Sequence, residues 1–180
     1  MLNHLLATLF FKIDIPMIRA MRGEASVGRY GTAYKFVDAF NIIPSFFTFA
    51  LFPLMSRQAA DDRPALTRTY HLAIKLLTAV ALPLAVVTTF LANPLVGLLG
   101  GSEFLPEGAL ALQLIIWSIP FGWINSVTNY LLVAIGQQRA LTRAFVIAVT
   151  FNILINAMFI PRYGFRAAAI STILSEIVVG

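Results

Sequence analysis

No cysteine occurs among the 180 residues, which excludes a disulfide framework, a thiolate metal site and a cysteine nucleophile. Charge is scarce as well: 12% of residues are Asp, Glu, Lys or Arg, about half the roughly 25% of a soluble domain. Residues 76–102, 108–138 and 144–161 carry no formal charge at all. His4 and His71 have no acidic or histidine neighbour at ligand spacing, and no Gly-rich loop opens a helix. Neither a metal site nor a phosphate loop is expected, and no cofactor. No Lys or Arg precedes the first apolar stretch, so the n-region of a signal peptide is missing.

What is present is apolar: 59% of the residues are hydrophobic. A soluble fold of this length buries only about 70% of its chain surface, so the excess is expected to face lipid. A helix crosses the hydrocarbon core in about 20 residues, the length scale of the uncharged runs. Apolar residues follow one another without alternation at 76–87 and 109–116, unlike barrel strands, which leaves helices to satisfy the backbone in a bilayer. The expected fold is all-α, a polytopic membrane helix bundle of about six segments: 2–21, 32–56, 70–91, 109–135, 141–160 and 166–180. The last is shorter than a full span. Stretches 22–31, 57–69, 93–108, 136–139 and 161–166 read as loops, with 94–101 apolar enough to dip into the interface. Both ends of the sequence are abrupt, which suggests a piece of a larger protein or a truncated reading frame.

The net charge of +5 does not point to nucleic acid, because the basic residues form short clusters between apolar runs. Such clusters set membrane orientation. Arg57, Arg63, Arg68, Lys75, Arg139 and Arg143 flank the second and fourth loops, against Arg22, Arg29, Arg162 and Arg166 at the other three. The second and fourth loops, and the N-terminus, are therefore expected in the cytoplasm.

A charge at the bilayer centre costs at least about 2.5–3.5 kcal/mol, so ionisable groups inside apolar segments are the candidate site. They are Lys12, Asp14 and Arg19 in the first segment, Lys35 and Asp38 in the second, and Glu176 in the last. Lys35 and Asp38 are spaced i,i+3 and can pair on one face. Lys12 and Asp14 cannot face each other and need partners elsewhere, with Lys12 mid-span and Lys35 and Asp38 nearer the outer interface. Two readings stand. Lys12, Lys35 and Arg19 line a basic cavity for an anionic headgroup, balanced by Asp14 and Asp38, or these groups pair structurally or snorkel. For Lys35, Asp38 and Arg19 the structural reading is favoured, and Glu176 is even between a cavity group and a residue near a chain end. Pro44, Pro53, Pro83 and Pro120 permit kinks. Asn125, Asn129, Asn152 and Asn156 sit at helical spacing and are read as interhelix hydrogen bonds. The Asp61-Asp62 pair lacks the further carboxylates of a metal-diphosphate site and reads as a solvated loop.

The runs Ile13-Asp14, Val27-Gly28-Arg29-Tyr30, Ala33-Tyr34-Lys35 and Ala50-Leu51-Phe52-Pro53 resemble the oligosaccharide flippases of polysaccharide biosynthesis. So do Gly101-Ser102-Glu103-Phe104, Ala134-Ile135-Gly136-Gln137, Asn152 with Asn156, Ile160-Pro161-Arg162-Tyr163-Gly164, Ala168-Ala169 and Ser175-Glu176. Those flippases share a superfamily with the lipid II flippases and the MATE drug exporters. Ala167 stands where the family usually has Gly. The resemblance implies the seventh to twelfth helices of a transporter whose N-terminal transmembrane half is absent here, in a bacterial inner membrane. It implies alternating access, with membrane lipid and a lipid-linked oligosaccharide as partners, and it suits Lys12 and Arg19 to the substrate diphosphate. The alternatives are a cation-coupled multidrug exporter of the MATE type, a membrane-embedded polyprenyl-phosphate transferase, or a fragment without function of its own.

Overall fold

The computed structural model describes residues 2–179, and every long element in them is a helix. In chain order these are α1 (Leu2–Lys12), α2 (Asp14–Arg22), α3 (Glu24–Phe40), α4 (Ile42–Asp61), α5 (Arg63–Gly100), α6 (Glu107–Ile115), α7 (Ser118–Ala134), α8 (Gln138–Tyr163) and α9 (Phe165–Val179), with a 3₁₀ turn at Ser102–Phe104. The all-α bundle expected from the apolar runs is the observed architecture. Four continuous or near-continuous stretches are long and apolar enough to cross a membrane: Glu24–Asp61, Arg63–Gly100, Glu107–Ala134 and Gln138–Tyr163. The first and last expected segments correspond to α1 with α2, and to α9, which are shorter helices.

The loops are far shorter than the sequence suggests. The first is the single residue Gly23, so 24–31, expected as loop, opens α3. The second contracts to Asp62, whose carboxylate accepts the Ala65 N–H at 2.9 Å and caps α5 while Pro64 fills its first turn. This cap is a structural task for half of the Asp61-Asp62 pair. The third begins only at Gly101, because α5 runs through Pro94 and the 94–101 tract. Gly23, Gly101, Gly136 and Gly164 all have positive φ, which lets one residue reverse the chain where a polar loop looked necessary. Phe104 closes the third corner: a Cβ on Gly28 or Gly100 would come within 3.2 or 3.1 Å of its ring.

Two ends of the bundle result. At one end Met55, Ala59 and Leu66 pack with Leu131, Ala134 and Ile135, which brings the second and fourth corners together. At the other, Arg22 donates to the carbonyls of Ile160 (3.2 Å) and Arg162 (2.8 Å), capping the last turn of α8, and Arg29 pairs with Glu107. The basic residues of the second and fourth corners thus share one end. The core joins Ile18, Tyr30, Leu77, Leu112, Ile119 and Trp123 from five helices, whereas Phe46, Phe49, Phe90 and Leu98 are 72–89% exposed. Large apolar side chains on the outside and small or polar ones within is the pattern expected of lipid as solvent. α8 and α9 follow it closely: Asn152 donates to Ser175, Asn156 to Asn152, and Ser171 to Asn156, all of them buried.

Candidate functional site

Three helix breaks share one cause. A proline has no N–H to give the carbonyl four residues back, and its ring crowds that carbonyl. Pro16, Pro44 and Pro120 each follow, by four residues, Lys12, Phe40 and Ile116, and α1, α3 and α6 end at or beside those residues. Pro44 and Pro120 therefore fall in the first turn of α4 and α7 and forfeit no bond of their own helix. Pro53, Pro83 and Pro94 lie inside continuous helices.

All three breaks border one open-sided cavity of about 420 Å³, with Lys12, Asn41 and Ser118 on its wall. Irregular backbone at membrane depth is tolerated where it lines a cavity. The break at Asn41 is held by Trp123, fully buried, whose indole N–H donates to the Asn41 side chain at 3.0 Å. Helix α7 supplies the richest wall, with Ser118, Gly122, Asn125, Ser126 and Asn129, and α9 adds Thr172 and Glu176.

Of the six sequence candidates, Lys12, Asp38 and Glu176 line this cavity. Lys12 donates to both Asp38 oxygens, at 2.7 and 2.9 Å, and lies 4.4 Å from the Tyr34 ring centre. The expected pair of Asp38 with Lys35 is not formed: Asp38 turns to Lys12, and Lys35 is exposed. The expected difference in depth fails for a related reason. With Gly23 alone at the corner, Lys12 and Asp38 lie at matching distances from it along their helices. Glu176 is buried and held from α7, where the Asn125 side chain donates to its carbonyl (2.7 Å) and its carboxyl (2.8 Å). Gly122 leaves it room, since a Cβ there would meet Glu176 Oε1 at 3.2 Å.

The other candidates sit elsewhere. Asp14 is 2% exposed, outside the cavity lining, and accepts from the Ile15 N–H at 2.9 Å and from the Tyr30 hydroxyl. Lys12 and Asp14 thus each find the separate partner that their spacing requires. Arg19 pairs with Glu24 at 3.0 Å on the surface beside the first corner. Sequence reading missed Tyr34, Asn41, Ser118 and Ser126 as wall residues; the four-residue offset of Pro44 and Pro120 from the breaks was the available signal.

A cavity that combines one cation, two carboxyl groups and many amides and hydroxyls, inside a bundle with an apolar exterior, is the geometry of a membrane passage. The comparison with protein families decides the kind, because the model of the MatE family matches residues 1–158. The chain belongs to the MatE family. MatE proteins are membrane transporters rather than enzymes, and the match takes in every cavity element except α9 and the last residues of α8. An uncharacterized membrane protein of Methanocaldococcus jannaschii is 27% identical over 97 residues, which are 54% of this chain and 19% of that relative. The chain therefore spans about a fifth of the relative's length in the matched stretch. No solved structure matches this chain.

Proposed function

We propose that this chain is the C-terminal half of a flippase that moves a lipid-linked oligosaccharide across a bacterial inner membrane by alternating access. The observation that carries the reading is Lys12. An ammonium sits on the wall of a cavity otherwise rich in amides and hydroxyls, and a lysine serves a phosphate group as a point charge. The Asn and Ser side chains of α7 suit the hydroxyls of sugars, and the large apolar side chains outside suit a polyprenyl tail left in lipid. A second bundle would close the open side of the cavity, as paired bundles do in alternating access. The end bearing Arg57, Arg63, Arg68, Arg139 and Arg143 faces the cytoplasm in this reading.

A second reading, a cation-coupled exporter, is favoured by one observation, the buried Glu176 carboxyl on the same wall. Vesicles carrying the complete transporter separate the two. In the flippase reading they move a fluorescent lipid-linked oligosaccharide between leaflets, and Lys12→Ala slows this at least about tenfold. Dye efflux driven by a sodium or proton gradient, sensitive to Glu176→Gln and indifferent to Lys12→Ala, would establish the exporter instead.

A further inference from the structure

We infer that Asp38 is a built-in competitor for Lys12, which makes the cavity selective for a polyvalent anionic group, such as a diphosphate, over a monovalent one. The inference rests on the reading of Lys12 as the anion-binding group. Among the described residues lining the cavity Lys12 is the only cation, and the Asp38 carboxylate already occupies it with both oxygens. An entering anion must displace that carboxylate. The two side chains are 45% and 52% exposed, and ion pairs in that setting are weakly held, so displacement is within reach of a ligand.

Two neighbours make the exchange workable. Tyr34 holds the ammonium over its ring face at 4.4 Å, an attraction that persists when the carboxylate leaves and keeps Lys12 in place. Lys35 lies one turn back from Asp38 on α3 and is exposed, so the displaced carboxylate has a cation at i−3 spacing. A monovalent phosphate or carboxylate offers Lys12 little that Asp38 does not already supply intramolecularly. A diphosphate brings more charge and more acceptor oxygens and wins the exchange. The other cavity carboxyl, Glu176, is engaged by Asn125 and does not compete for Lys12.

The test measures binding of inorganic pyrophosphate and of inorganic phosphate to the full chain in detergent micelles, by calorimetry at fixed ionic strength. The wild type should bind pyrophosphate the tighter. Asp38→Asn keeps the side-chain volume and should tighten phosphate by about threefold to tenfold and pyrophosphate by less, narrowing the ratio. Lys35→Ala provides an independent measurement: it should weaken pyrophosphate more in the wild type, where it strands the displaced carboxylate, than in the Asp38→Asn background. An unchanged ratio in Asp38→Asn, with binding still lost in Lys12→Ala, overturns the competitor and leaves the anion site standing. Equal pyrophosphate binding by the wild type and Lys12→Ala overturns both.

Discussion

Replacing Tyr30 by phenylalanine deletes one oxygen from a side chain with no exposed surface. The hydroxyl donates to Asp14, itself 2% exposed, and its loss leaves the Asp14 side chain with the Ile15 N–H alone. Interhelix hydrogen bonds in membrane proteins average about 0.6 kcal/mol with a maximum near 1.7, and stranding a buried acceptor costs about 1–3 kcal/mol. The upper part of the first range meets the lower part of the second, so Tyr30→Phe should destabilise the bundle by about 1.5 kcal/mol, since the ring and its packing are kept. Asp14→Ala removes the acceptor, and in that background Tyr30→Phe should cost little, giving a coupling of about 1 kcal/mol in the double-mutant cycle. Unfolding of the purified chain in mixed micelles, titrated with SDS, supplies the four stabilities. Trp123 is buried and bonded to Asn41 at a helix break, so its fluorescence reports loss of tertiary structure. A coupling under about 0.3 kcal/mol would refute the claim that this bond ties α2 to α3.

The same titration checks two further orderings. Asn156→Ala should cost about 1–2 kcal/mol, and Ser171→Ala less, because Asn156 then keeps its bond to Asn152 while Asn156→Ala strands groups on both helices; the reverse order would discount the polar seam between α8 and α9. Pro83 is exposed in the middle of α5, so Pro83→Ala restores a helix N–H without a packing loss and should stabilise by about 1 kcal/mol or more. Pro44 is buried in the first turn of α4, and Pro44→Ala should give no gain, since it restores no bond within that helix and leaves a void.

The sequence alone determined that the chain is helical and meant for lipid. Uncharged runs such as 76–102 and 144–161 leave the backbone no partner in a bilayer except itself, whatever the tertiary contacts. It also determined that Lys12 and Asp14 would seek separate partners, because residues two apart on a helix point to different sides. Only the tertiary structure decided which partners. Asp38 has Lys35 at a suitable spacing on its own helix, yet a one-residue corner at Gly23 brings α3 beside α1 and hands Asp38 to Lys12. The cavity was equally hidden: proline's missing N–H is local, but that the breaks before Pro16, Pro44 and Pro120 border a single space depends on how three separate stretches pack. Local chemistry fixes what each segment can be, and the packing of distant segments fixes which polar groups meet.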